Sequence, residues 1–445
     1  MITLPVLGAY RDDAVFAYRE RRPISVGRFL SDVGQLAALL PARRHILNLC
    51  GDRYHFVVGF FAALLQRQIS LLPPNHTPDL IAQLKRCYPD VYCLSDDATR
   101  NQPLETVFYP LQSGPEQPVP PVPHFPADQI AAIVFTSGST GQPLPNEKSW
   151  GGLVRSTAAE LNRLGPHLHA GTTVLGTVPP QHMYGLESTV LMAMQGGMAL
   201  HAGRPFYPAD IIAELAALPR PRCLVTTPIH LRALLAETAA LPQLDFLLCA
   251  TAPLPPQLAA AAETRFAAPL YEIYGCTEAG QVATRRTVET VEWHALPGIA
   301  LRQDGEATWV SGGHVENKVL LHDIIELRDP TRFLLHGRTA DLVNIAGKRT
   351  SLASLNYHLN SVAGVRDGVF VMPEQEDVAI TRLTAFVVAP GLTRKTVLNA
   401  LRQRIDPAFL PRPLHLVEAL PRNDTGKLPR QALSRLLTER ASSTG

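Results

Sequence analysis

Thr136-Ser137-Gly138-Ser139-Thr140-Gly141 sets four hydroxyl side chains and two glycines directly after the apolar run Ala131 to Phe135. Hydroxyls donate hydrogen bonds, and a glycine without Cβ lets backbone N–H groups close on an anion. That combination suits the wrapping of a polyphosphate. No Gly-Lys-Ser/Thr follows at the spacing a Walker loop requires. A polar surface turn has the same composition, so the loop by itself leaves both readings open.

Further stretches narrow the choice. Tyr274-Gly275-Cys276-Thr277-Glu278 closes the expected strand Leu270–Ile273, and open α/β sheets bind ligands at strand C-terminal ends. Tyr274 offers a flat face to a purine, Thr277 a hydroxyl to phosphate, and Glu278 an oxygen ligand to magnesium. Asp323 can accept from ribose hydroxyls, although a turn or capping aspartate looks the same. Arg338 lies in His336-Gly337-Arg338-Thr339-Ala340-Asp341, where a surface ion pair is its plain alternative. Lys427 sits on the glycine turn of Leu420-Pro421-Arg422-Asn423-Asp424-Thr425-Gly426-Lys427.

In this order the stretches resemble the adenylate-forming superfamily of acyl-CoA synthetases, aryl-acid ligases and peptide-synthetase adenylation domains. The resemblance spans residues 131–430. It implies an AMP-forming acid–thiol ligase that uses ATP and Mg2+. A carboxylate attacks the α-phosphate to give an acyl-adenylate, and a thiol of coenzyme A or of an acyl carrier protein then takes the acyl group. By likeness, Thr136, Ser137, Gly138, Ser139, Thr140 and Gly141 hold the β- and γ-phosphates. Tyr274 and Gly275 meet the adenine, Thr277 the α-phosphate, Glu278 the magnesium ion, and Asp323 with Arg338 the ribose. Lys427 bridges α-phosphate and substrate carboxylate.

Two positions depart from that pattern. The family's loop commonly ends Pro-Lys, whereas Leu144 follows Pro143 and the nearest lysine is Lys148. Either Lys148 reaches back or the loop works without that charge. The hinge position two residues after Arg338 is Ala340, with Asp341 next. A small residue there can still absorb a backbone rotation.

The acid is expected beside His182, Tyr184 and Gly185 of Pro179-Pro180-Gln181-His182-Met183-Tyr184-Gly185, and beside Thr226, Thr251, Ala252 and Cys276. His182 resembles the family's pocket-gating residue. No aspartate stands in this motif to pair a substrate ammonium, which disfavours an α-amino acid. The small neighbours with hydroxyls at Tyr184, Thr226 and Thr251 suit a compact aromatic acid carrying a phenol. The texture around Gln142 to Trp150 is similar to ligases of aryl-polyene and xanthomonadin-type pigment pathways, which activate 4-hydroxybenzoate-like acids. A short- or medium-chain acyl-CoA synthetase and a non-catalytic nucleotide-binding homologue are the alternatives.

A chain of 445 residues must divide into more than one core. Its 46% apolar and 18% charged residues supply a large interior. A net charge of +2 implies neither nucleic acid nor an acidic membrane as partner. The six cysteines show no paired or metal spacing and read as reduced thiols of a cytoplasmic protein. No signal peptide is recognised at Met1 to Glu20, and the apolar run Phe56 to Leu65 is too short to span a membrane.

Strand and helix patterns alternate from His45 to Leu94 and again from Gly151 to Ile273, which calls for parallel sheets faced by helices. Pro103 to Pro126 reads as a long surface connector. From Val282 to Leu335 short strands between Gly and Asp turns indicate an antiparallel β-subdomain. The fold expected is α/β: a large N-terminal domain of stacked α/β sheets with a β-subdomain (residues 1–336), followed by a small mobile α+β C-terminal domain (residues 337–445).

Overall fold

The computed structural model describes residues 2–8, 10–11, 13–99, 104–110, 121–137, 143–305, 307–338, 342–345, 348–372, 383–423, 426–429 and 432–437. Two α/β sheets make the N-terminal part. The six-stranded sheet runs Pro143–Ser149, Ile130–Ser137, Ile69–Leu72, His45–Asn48, Tyr92–Ser95 and Thr106–Phe108. Its pairs are parallel except the first, in which Pro143–Ser149 folds back antiparallel on Ile130–Ser137.

The eleven-stranded sheet has a parallel centre, Leu270–Cys276, Phe246–Cys249, Arg222–Thr226, Thr173–Gly176, Ala199–His201 and Val15–Arg19. These strands are apolar along nearly their whole length because helices cover both faces. On one side the sheet continues antiparallel through Gly280–Arg285, Trp293–Ala295, Arg332–Arg338 and Asp323–Asp329. A three-stranded meander, Ala300–Asp304, Ala307–Gly312 and Val315–Leu321, completes the expected β-subdomain.

Arg53 ties the two sheets together. It opens the helix Arg53–Leu65 and is fully buried. Nη1 donates to the carbonyls of His201 and Gly203 at 3.0 and 2.8 Å, and Nη2 to those of Gly176 and Val178 at 2.9 and 2.8 Å. A planar guanidinium with a fixed fork of donors is the side chain that can satisfy four carbonyls at two strand ends.

The last unit has its own core, in which Phe370, Ala385, Val387, Leu355, Leu359 and Leu401 pack together. The strands Asp367–Val371, Thr384–Val388 and Leu414–Leu416 carry the helices Leu352–Asn360 and Arg394–Arg402. The strand Arg332–Arg338 belongs to the large sheet, so the expected boundary between 336 and 337 lies inside it.

The Pro103–Pro126 stretch is more than a connector. Thr106–Phe108 forms the edge strand of the six-stranded sheet, and His124–Pro126 pairs with Thr3–Pro5. Both are edge positions, where proline-rich chain can still pair. Residues 111–120 lie outside the described ones. Among the described residues no helix is long and apolar enough to cross a membrane.

Candidate active site

The strand Leu270–Cys276 runs three residues beyond its expected end and turns back as a hairpin, Cys276 facing Gly280. Gly275 makes the close approach possible, since a Cβ there would sit 2.3 Å from the Gly280 carbonyl oxygen. Thr277 and Glu278 are carried at the tip, and Glu278 is exposed.

Tyr274 is buried with its ring against Trp293 and Phe333, the centroids 5.7 and 5.6 Å away. Its hydroxyl donates to Asp323 Oδ2 at 2.6 Å. Asp323 in turn stands opposite Arg338 in the register of the next strand pair. Three positions far apart in sequence are thus linked beside the hairpin tip.

The C-terminal turn reaches the same region. Asn423 holds it from both sides, accepting from the Lys427 N–H through Oδ1 and donating its own N–H to the Lys427 carbonyl, each at 2.8 Å. Gly426 adopts φ +76° and lies so close to the large domain that a Cβ would meet Ile229 Cγ2 at 2.9 Å. Arg422 braces the turn by donating to the Gly426 carbonyl at 2.9 Å and to both Asp367 oxygens at 2.6 and 2.8 Å. Arg232, on the helix Pro228–Ala236, approaches the same Asp367 at 3.6 Å. Exposed Lys427 acts electrostatically on His182: burial first, and then the lysine charge, hold the imidazole down at about 3. His182 is therefore neutral across the physiological range.

Lys148, in place of the usual loop lysine, donates from Nζ to the Glu278 carbonyl at 2.9 Å. Thr136 and Ser137 close the strand Ile130–Ser137 opposite Leu144 and Pro143. Gly138, Ser139, Thr140 and Gly141 lie outside the described residues.

Residues 9–303 match the AMP-binding enzyme family. The chain belongs to that family. Like other AMP-binding enzymes of the acid–thiol ligase kind, it is an AMP-forming ligase. It is similar to a 4-coumarate–CoA ligase of Rhodobacter capsulatus, with 28% identity over 305 residues, 68% of this chain and 75% of that one. A probable 2-succinylbenzoate–CoA ligase of Mycobacterium tuberculosis is 29% identical over 337 residues, 69% and 85% of the two chains. The fold is shared with an o-succinylbenzoate coenzyme A synthetase from Bacillus subtilis in complex with ATP and magnesium ion, at a TM-score of 0.78, 17% identity and 95% and 97% coverage.

Two of this AMP-binding enzyme's expected pocket hydroxyls are engaged elsewhere. Tyr184 is buried in the helical segment Met183–Gln195, and its hydroxyl donates to the carbonyls of Leu248 and Thr226 at 3.0 and 3.2 Å. Thr226 is fully buried, with Oγ1 3.1 Å from Thr177 Oγ1. Both tie strand ends together instead of presenting free donors to a phenol. Gly185 is a packing position, where a Cβ would strike the Pro179 carbonyl oxygen at 1.9 Å. Thr251 and Ala252 are half-buried beside Leu254, whose N–H donates to Glu272 Oε1 at 3.1 Å. Cys276 is half-buried, and burial pushes its thiol up to about 12.

Sequence reasoning missed Glu187, Ser156 and His314, which are buried next to the hairpin. The signal was present in Leu186-Glu187-Ser188-Thr189-Val190, where one carboxylate interrupts an apolar helical run.

Proposed function

We propose that this enzyme uses ATP and Mg2+ to convert a small aromatic acid, 4-hydroxybenzoate-like in size, to its acyl-adenylate and passes the acyl group to the thiol of coenzyme A or of a carrier protein. The observation that carries this reading is the seat of Lys427. Its turn rests on Thr227 and Ile229 and places an ammonium in the electrostatic reach of His182. A lysine brought to that position stabilises the charge that develops between the α-phosphate and the attacking carboxylate.

Tyr274, Asp323 and Arg338 hold the nucleoside, Thr277 the α-phosphate, and the stretch from Thr136 to Gly141 the outer phosphates. The Tyr274 hydroxyl fixes the Asp323 carboxylate, which then needs no reorganisation to receive ribose hydroxyls. Magnesium fits the donor set. No cluster of three ligating side chains occurs among the described residues, and Mg2+ usually takes one or two carboxylates together with substrate phosphates and water. Exposed Glu278 supplies one such carboxylate, and the ion would neutralise phosphate charge. Neutral His182 orients the acid without changing its own charge. The unit that follows the strand Arg332–Arg338 acts as the moving lobe and releases Lys427 for thiol transfer; the hinge expected at Ala340 or Asp341 lies outside the described residues.

Pyrophosphate release from ATP, Mg2+ and a panel of aryl and short acyl acids tests the reading, followed by coenzyme A and a phosphopantetheinylated carrier as acceptors. Turnover with a small aryl acid is expected. Silence across the panel would overturn the proposal.

A further inference from the structure

Behind the hairpin tip lies a cavity of about 100 Å3, between Lys148, Ser156, Glu187, Glu278, Gly280 and His314. For comparison, an apolar cavity of about 150 Å3 accommodates benzene. This smaller space takes one functional group and part of a ring. Leu153, Met183 and Val315 supply apolar wall.

Three features make it a built site. Glu187 is buried, and its Oε1 is anchored by the Ser156 hydroxyl at 2.7 Å. His314 is only 7% exposed; the backbone of Gln281 and Ala279 lies beside its ring, but neither nitrogen makes a hydrogen bond of full geometry there, which leaves bonding capacity for a guest. Gly280, at φ +76°, keeps the space open between them. A Cβ there would stand 3.2 Å from Glu187 Oε1 and 3.6 Å from His314 Nε2.

We infer that this chamber receives a hydroxyl borne on the ring of the substrate, so that Glu187, Lys148 and His314 select hydroxyaryl acids. The inference rests on the ligase reading and adds the group that is recognised. A neutral hydroxyl can donate to the Glu187 carboxylate and accept from Lys148 or His314 at once. An arylamine, neutral near pH ~7, can donate to Glu187 but is a poor acceptor for Lys148, and a second carboxylate faces the Glu187 carboxylate. Burial raises the Glu187 carboxyl to about 7, so a neutral guest disturbs the chamber least.

The test compares kcat/KM for benzoate, 4-hydroxybenzoate, 4-aminobenzoate and terephthalate by pyrophosphate release, in the wild type, Glu187→Gln and Gly280→Ala. The wild type is expected to favour the hydroxy acid over benzoate by at least about tenfold, the scale of one lost hydrogen bond to a charged group. Glu187→Gln and Gly280→Ala should each reduce that ratio to below about threefold, with folding checked by thermal melts and by ATP binding. If the wild type turns over none of these acids or the short acyl acids, the ligase reading fails and this inference with it. If acids turn over with a ratio near one, or 4-aminobenzoate or terephthalate is preferred, the ligase reading stands and the chamber assignment is overturned. The same holds if both variants keep the wild-type ratio.

Discussion

At the scale of single residues, Lys427 and His182 form the testable pair. Lys427→Ala is expected to abolish pyrophosphate release while sparing thioester formation from preformed acyl-adenylate, because the proposed role needs the ammonium only where phosphate and carboxylate meet. Separate assays of the two half-reactions decide it, and equal loss in both would remove Lys427 from the role. The His182 ring reports how near the Lys427 charge lies. Its depressed pKa comes first from burial and second from Lys427, so removing the lysine should raise it only part of the way to the ordinary ~6.5. Imidazole NMR titration of wild type and variant measures that step, and an unmoved His182 would mean the lysine does not lie over it. Glu278→Gln should raise the magnesium concentration needed for half-maximal rate. An unchanged magnesium titration would take Glu278 out of the site.

At the scale of elements, what holds the pieces in place was only partly readable. The central strands and helices stood out because fully buried parallel strands are continuous apolar runs bounded by turn residues, as in Phe246–Cys249. The hairpin Val15–Arg19 to Arg22–Ser25 gave no such sign. Its turn residues Glu20 and Arg21 both have positive φ, at 49° and 63°, where glycine or asparagine would have announced it. Tyr274 to Glu278 was legible because chemistry and strand end coincide there. The Glu187–His314 chamber was not, since Gly280 and His314 meet only where the turn of the meander packs against the large sheet. Two predictions belong to this scale. Arg53→Met would take its donors from the His201, Gly203, Gly176 and Val178 carbonyls, at a cost of about 1–3 kcal/mol for each one left buried and unsatisfied, read as a lower urea midpoint. The alternative, a loss under about 1 kcal/mol, would show that water replaces the guanidinium. Arg232→Ala breaks the ion pair that joins Asp367 to the large domain among the described residues. Partly exposed pairs contribute roughly 0.2–1 kcal/mol, so adenylation should slow about twofold to fivefold as the C-terminal unit spends less time seated. Unchanged adenylation would deny the pair any part in seating it.

At the scale of the whole molecule, buried carboxyls set the dependence of stability on pH. Glu160 lies on the helix Trp150–Leu164, wholly buried, and its Oε1 accepts from the Ser188 hydroxyl at 2.8 Å, with the Gln281 side chain also beside the carboxylate. Desolvation raises its carboxyl to about 8, and the neighbouring Glu187 carboxylate pushes in the same direction. Folded protein therefore holds a proton that the unfolded chain releases near the ordinary ~4.5, and the linkage sign follows. Stability is fully present below that unfolded value and declines as pH rises toward 8. The imidazoles of His182 and His314, held down at about 3 and about 4, work in the opposite sense below ~6.5. Their contribution is present above that value and lost as pH falls. The two trends leave the folded state most stable in mildly acidic solution. Glu160→Gln keeps the shape but cannot ionise. Between pH 5 and 8 the wild type should lose stability on the order of 4 kcal/mol more than the variant, at one pKa unit per ~1.4 kcal/mol. Urea unfolding of both proteins across that range measures the difference directly, and parallel curves would mean that Glu160 is ionised in the folded protein, with water admitted to its side of the helix.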